Sequence, residues 1–310
     1  MTGTTARHRA EYLAYRVARG VAAGVPEEPA LTLGAAFGRA LGSAVRFRRA
    51  DVDRHLGWAF PDAPEPWRRR VARASYAHFG REAAVLLRAD AWTPEALRAR
   101  TRLVGFDLFR EAVAAGRGVV LLTGHLGNWE MGGAAIAAQG VPLDVVGKGM
   151  SNARFQEDLF ATRARLGMRV IEMGEASREA LRGLAAGRVV AMLADQQAHK
   201  GGVLVPFFGR PASTARGPAV FALRTGAPVF VAFCVAEGGR TARYVLTFDR
   251  LEVPPTAGAD ADVIALLSAY GASLERAIRG VPEQYFWQHR RWKNAPQPHP
   301  GNPPELPSAD

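Results

Sequence analysis

An α/β fold, with a mixed or largely parallel sheet covered by helices on both faces, is what this 310-residue sequence predicts. Two observations carry it. From residue 118 onward, short β-branched apolar runs alternate with segments of helical period, the signature of strands joined through helices that cover both sides of a sheet. Several of those runs are continuous, Val119-Val120-Leu121-Leu122 above all, as expected of strands buried on both faces.

The elements follow in order. Residues 10–50 read as two helices joined by Pro26-Glu27-Glu28-Pro29. The second carries Leu33, Phe37, Leu41 and Val45 at four-residue spacing, then Arg46, Arg48 and Arg49. That amphipathic outline suits a membrane interface with arginines at headgroup level, or equally a helix packed on the protein body. Residues 61–66 form a turn and 66–89 a further helix. Strands are expected over 118–123, 143–146, 169–172, 189–193, 229–235 and 244–248. Helices are expected over 128–138, 152–166, 177–186, 216–225 and 261–279, with Ser177 as an N-cap and Gly187 and Gly226 as C-terminal stops. The chain is expected to divide into amphipathic N-terminal helices (1–50), an α/β domain (51–293) and a flexible tail (294–310) rich in Pro, Asn and Gln.

Composition narrows the function. Lys and Arg total 40 against 29 acids, a net charge of +11, and 37 of the 40 are arginine. Residues 1–110 hold 19 Arg and 11 acids, so most of the excess sits in the first third. Such a field favours anionic partners: phospholipid headgroups, nucleic acid or an acidic carrier protein. The single cysteine, Cys234, excludes an internal disulfide and a cysteine metal site; it reads as a buried structural thiol in a chain at home in a reducing cytoplasm. No apolar core of a secretory signal follows Arg7, His8, Arg9 and Glu11. Residues 30–47, the best candidate span, carry Arg39 and Arg46 and are too short and polar to cross a bilayer, though suited to lying on one.

The chemistry concentrates at Gly124-His125-Leu126-Gly127-Asn128-Trp129-Glu130, where an apolar strand gives way to a helix. Carboxyl ends of strands are where α/β enzymes place reactive groups. An imidazole held by a carboxylate takes a proton from a hydroxyl near neutral pH. Five residues turn about 140° on a regular helix, so His125 and Glu130 meet only if His125 sits in the turn and Glu130 in the first helical turn. Gly124 and Gly127 permit that turn and let backbone amides face a ligand, and the helix N-terminus at Asn128 supplies donors for a developing oxyanion. Arg163 falls at the border of the stripe Phe155, Leu159 and Leu166, suited to phosphate or carboxylate, or else to a plain surface arginine. Asp195 stands at a second strand end. Thr214, ahead of a helix, is placed to cradle an anionic group or to serve ordinary capping. The aromatic–basic run 285–293 fits nucleic-acid stacking, a membrane interface, or an aromatic plug on the core. No metal site is expected.

Taken together these segments resemble the bacterial lysophospholipid acyltransferase family that includes the late lipid A acyltransferases (lauroyl and myristoyl transferases). The resemblance runs from about Arg54 to Lys293. It rests on His55-Leu56-Gly57-Trp58-Ala59-Phe60-Pro61 (where the family has Asn in place of His55), the 124–130 motif, Arg163 with Gly167, Ala194-Asp195-Gln196, Val205-Pro206-Phe207-Phe208-Gly209 and the closing 282–293 segment. It implies a glycerolipid-acyltransferase-like sheet flanked by helices and catalysis by His125, with Glu130 orienting its ring, Arg163 binding a phosphate or supporting the site, and Asp195 supporting. The implied donor is acyl-carrier protein, or acyl-CoA, as co-substrate without a cofactor. The implied acceptor is a hydroxyl of a lipid A precursor or related glycolipid, the close of the chain favouring that branch. Other lysophospholipids, an aminolipid or phosphatidylinositol mannoside are the alternatives. The resemblance also implies a monomer at the cytoplasmic face of the bacterial inner membrane, peripheral or monotopic, with no nucleic-acid partner. A hydrolase would need a Gly-x-Ser-x-Gly elbow, which the sequence lacks; a nucleic-acid binder would need a recognised binding motif, also lacking.

Overall fold

The structure, a computed structural model, describes residues 5–198, 201–252 and 258–293; the tail expected at 294–310 lies outside them. Strands β1 (Thr101–Val104), β2 (Val119–Thr123), β3 (Leu143–Gly147), β4 (Met168–Glu172) and β5 (Val189–Leu193) join two later strands in one sheet. A separate hairpin, β6 (Gly202–Phe207) and β7 (Arg210–Ala215), intervenes before β8 (Val229–Ala236) and β9 (Tyr244–Arg250). Strand order in the sheet is β1-β9-β8-β2-β5-β3-β4. Five strands run parallel; β9 is antiparallel to β8, and β1 follows β9, so one edge is reversed. The mixed, mostly parallel α/β sheet read from the sequence is the fold.

The continuous apolar run of β2 has a direct reason. Val119 and Leu121 enter one hydrophobic cluster and Val120 and Leu122 the other, all at most 2% exposed. Alternate side chains point to opposite faces, and both faces are covered. Each such burial contributes about 1.5–3 kcal/mol.

The first four helices are α1 (Ala6–Gly24), α2 (Glu27–Ser43), α3 (Arg49–Ala59) and α4 (Glu65–Leu87), followed by α5 (Pro94–Arg100) and α6 (Phe106–Ala114). The remaining helices are α7 (Trp129–Ala137), α8 (Ala153–Arg165), α9 (Ala176–Ala185), α10 (Gly217–Thr225) and α11 (Ala259–Gly280). The expected linker at Pro26 is mostly the first turn of α2: Pro26 caps it, and Glu27 and Glu28 face its positive end. Ser177 is not an N-cap, because a turn closed by the Ala176 amide on the Met173 carbonyl already starts α9 at Ala176, with Glu175 in the cap position. Gly187 and Gly226 end their helices at positive φ, 74° and 65°.

Residues 210–215, where Thr214 was expected ahead of a helix, form half of the β6–β7 hairpin. Its turn places Phe208 and Gly209 at φ 51° and 68°, the two positive φ values of a tight two-residue hairpin turn. A phenylalanine in that region is uncommon, and it hid the signal.

Candidate active site

β2 delivers His125 two residues beyond its end, and the turn that follows is fixed by close backbone approach. Gly127 sits at φ +65°, and a Cβ there would stand 1.9 Å from the Cys234 carbonyl oxygen, so only glycine fits. Its amide donates to the Gln284 carbonyl (2.9 Å), the Asn128 amide to the Cys234 carbonyl (2.8 Å), and the Phe286 amide to the His125 carbonyl (3.0 Å). Asn128 then caps α7, its Oδ1 accepting from the Met131 amide at 2.9 Å. Its side-chain amide donates to buried Glu82 at 2.8 Å, which also accepts the Tyr244 hydroxyl.

The imidazole is held by Asp195 rather than Glu130. His125 Nδ1 lies 2.7 Å from Asp195 Oδ1, and the His125 backbone amide donates to Oδ2 at 2.8 Å. Strand register explains the meeting. Thr123 of β2 pairs with Leu193 of β5, so the residues two positions further along each strand, His125 and Asp195, emerge side by side. Asp195 is 2% exposed. Burial opposes its charge, but the neighbouring His125, through charge and two hydrogen bonds, and buried Arg291 hold the carboxyl below its ordinary value. The proton of the neutral ring therefore belongs on Nδ1, leaving the Nε2 lone pair free to act as a base. Gln196 meets that nitrogen, its Nε2 at 3.0 Å.

Glu130 is paired elsewhere. From the first turn of α7 it takes a bidentate grip from Arg163 of α8, with Nε at 3.0 Å and Nη2 at 2.5 Å. The expectation that Glu130 orients the His125 ring is corrected accordingly: its two oxygens are engaged by a guanidinium. Trp129 instead packs edge-on to the imidazole, ring centres 4.7 Å apart.

A groove of about 460 Å³ passes the base. On one side it is walled by α4 (His78, Phe79, Ala83, Leu86) and on the other by Phe155, Leu159, Met150 and Met173. His125, Gly127, Asn128, Glu130, Arg163 and Gln196 all line it. Beneath the Glu130–Arg163 pair lies a smaller apolar cavity of about 50 Å³ between α7 and the sheet, lined by Leu121, Gly133, Ile136, Met168 and Cys234. The amides of Gly127 and Asn128, expected to face a ligand, are instead spent on Gln284 and Cys234. Thr214 is also corrected. Fully buried on β7, it hydrogen-bonds the Arg291 guanidinium (2.6 Å) and lines an interior void rather than the groove. Burial also raises the thiol value of Cys234 well above normal, as the structural reading requires.

Three residues have no role assigned by the sequence: Gln196 on the base and Arg291 behind Asp195, both within quoted motifs, and Glu82 behind Asn128. For Glu82 a signal existed, a lone acid at a position facing the core in the helix 65–87. The aromatic run of the C-terminus resolves as a plug, with Tyr285, Trp287 and Trp292 at 1–4% exposure inside the core. Among the described residues no group of three or more His, Cys, Asp or Glu side chains converges as a metal site, and no helix is long and apolar enough to cross a membrane.

Comparison with known proteins supplies the family. Phosphatidylinositol mannoside acyltransferase of Mycolicibacterium smegmatis is 27% identical over 263 residues, 84% of this chain and 83% of that protein. The lipid A biosynthesis lauroyltransferase of Escherichia coli is 26% identical over 261 residues, 82% of this chain and 83% of its own. The palmitoleoyltransferase of the same organism is 23% identical over 270 residues, 85% of each. The family described as bacterial lipid A biosynthesis acyltransferase matches residues 4–294. A match of that span, over a sheet whose strand ends present an imidazole to an apolar groove, places this chain in the bacterial lipid A biosynthesis acyltransferase family, as an acyltransferase.

Proposed function

We propose that this acyltransferase moves a fatty acyl chain from a thioester donor, acyl-carrier protein or acyl-CoA, to a hydroxyl of a membrane glycolipid. The acceptor class is a lipid A precursor or a phosphatidylinositol mannoside, the two acceptors named among its relatives. One observation carries the reading: His125, with Asp195 on Nδ1, turns Nε2 into an apolar groove. The acceptor hydroxyl gives its proton to Nε2 as its oxygen attacks the thioester carbon, and Asp195 stabilises the imidazolium that forms. Collapse of the tetrahedral intermediate expels the thiolate, which recovers the proton from Nε2. No covalent acyl-enzyme and no cofactor are invoked. The Arg163–Glu130 pair braces the groove wall in this scheme, with Arg163 also available to a lipid phosphate at the groove.

Membrane attachment belongs to the same proposal. Leu13, Val17 and Val21 of α1 and Leu33, Phe37 and Val45 of the α2 region are 57–69% exposed, and Arg16, Arg39, Arg46 and Arg49 stand on the same two helices or just beyond them. An apolar stripe flanked by arginines suits peripheral binding to the anionic cytoplasmic leaflet. The net charge of +11 also suits an acidic carrier protein. The protein acts as a monomer without a nucleic-acid partner in this reading, which the burial of Tyr285, Trp287 and Trp292 in the core supports.

The test is lipid mass spectrometry of cells with and without the chain, and with His125→Ala. The expected result is a lipid gaining one acyl mass only with the native protein. An unchanged lipid profile, or full acylation by the His125→Ala protein, would overturn the proposal.

A further inference from the structure

We infer that Gln196 is a catalytic residue: its side-chain amide keeps the acceptor's place at His125 Nε2 and, once displaced, donates to the oxyanion of the tetrahedral intermediate. The inference rests on the acyl-transfer reading above and goes beyond it.

The geometry starts from the ring. Because Nδ1 donates its N–H to Asp195, Nε2 is an acceptor, and the group 3.0 Å away must be the amide NH₂ of Gln196. A hydroxyl can pass its proton to Nε2 only from about 2.6–3.2 Å. Gln196 nitrogen and acceptor oxygen therefore compete for one position, and acceptor binding must turn the amide aside. Gln196 is exposed and lines the groove, so that rotation costs little. Its backbone stays fixed, since it follows buried Asp195 directly at the end of β5.

The reaction needs a donor where the amide then lies. As the acceptor oxygen bonds the thioester carbon, the carbonyl π pair moves onto the carbonyl oxygen and the hydroxyl proton passes to Nε2. When the intermediate collapses, the carbonyl re-forms, the C–S bond breaks, and the thiolate leaves as thiol with the proton from Nε2. Ester and thiol result, and His125 ends neutral. Backbone donors near the base are largely spent. The amides of His125, Gly127, Asn128, Met131 and Gly132 already serve Asp195, Gln284, Cys234 and Asn128. Gln196 is a groove-facing amide already touching the base, with two N–H groups to give.

Purified full-length protein carrying Gln196→Ala is compared with the native protein using an acyl-carrier-protein donor and a glycolipid acceptor. Loss of the donor should lower kcat on the order of 10²-fold, with the donor KM and the thermal midpoint little changed. The acidic limb of kcat/KM against pH should move to higher pH, because an N–H donated to the Nε2 lone pair favours the unprotonated ring. Gln196→Glu should be at least as slow and move the limb further, since a carboxylate favours the imidazolium and repels the oxyanion. Turnover by Gln196→Ala within about threefold of native, or an unmoved acidic limb, overturns the role of Gln196 while His125→Ala stays inactive. Activity in His125→Ala would instead overturn the underlying reading, and this inference with it.

Discussion

At the scale of single residues, the site separates two carboxylates that the sequence makes look interchangeable. His125 was legible because its context is local: a strand, a glycine turn and a helix start lie within a dozen residues. Its partner was not. Glu130 is near in sequence, whereas Asp195 is 70 residues away and becomes a neighbour only because β5 lies beside β2. Strand adjacency is settled by how helices cover the sheet, and no short-range pattern encodes it. The two acids should therefore fail differently. Asp195→Asn leaves the shape but favours the wrong ring tautomer, and kcat should fall on the order of 10³-fold or more. Glu130→Gln weakens a paired, mostly buried guanidinium, costing about 1–3 kcal/mol of stability without moving the acidic limb of the pH–rate profile. Denaturant titration and steady-state kinetics on both variants check this; a shifted limb in Glu130→Gln would return Glu130 to the ring.

At the scale of elements, α2 shows which half of an amphipathic pattern a sequence reveals. The stripe Leu33, Phe37, Leu41, Val45 stands out, and the sequence leaves open whether it meets a membrane interface or packs on the protein body. The answer lay in small residues between them. Gly34 and Gly38 face α4 at backbone distance and Gly42 faces the Tyr76 ring: a Cβ on Gly38 would meet the Tyr76 carbonyl oxygen at 2.0 Å, and one on Gly80 the Gly34 oxygen at 2.1 Å. The glycine face is thus the packed one, and Leu33, Phe37 and Val45 are left 61–69% exposed. Packing made by absent side chains escapes a search for apolar periodicity. Two outcomes follow. Gly38→Val should destabilise by at least about 1–3 kcal/mol through overpacking, read as a fall in thermal midpoint. Replacing Leu33, Phe37 and Val45 together by Ser should leave that midpoint in place yet abolish co-sedimentation with anionic phospholipid vesicles. Undiminished vesicle binding would detach the stripe from the membrane.

At the scale of the whole molecule, fold class was readable because strands buried on both faces need continuous apolar runs. The reversed edge and the hairpin were not, since β1 is four residues long and β6–β7 turns on Phe208. The long-range tie that completes the molecule is the C-terminal segment, which pairs with the catalytic turn at Leu126 and Tyr285. Histidines surround it. His55 Nδ1 donates to the Trp287 carbonyl at 3.0 Å, His289 Nε2 accepts the Gln197 amide at 3.0 Å, and His78 lies against Gly127. Burial lowers all three below the usual histidine value, His289 to about 4, where nearby Asp195 opposes the shift and His125, Arg291 and Arg48 reinforce it. Each therefore keeps its neutral form to lower pH in the folded chain than in the unfolded one. As pH falls below about 6.5 the unfolded chain takes up protons that the folded chain refuses, so stability drops until the folded value is reached. Asp195 acts in a lower window, its depressed value removing stability only as pH falls below the ordinary carboxyl range near 3.8. Urea unfolding at pH 7 and pH 4.5 should show a marked loss for the native protein and a smaller one for His289→Gln, whose amide stays neutral throughout. The first contacts released should be those of residues 284–292, so activity should fade before the sheet unfolds, as the base loses the segment that holds its turn. Equal losses in both proteins would mean that acid sensitivity lies away from this clamp.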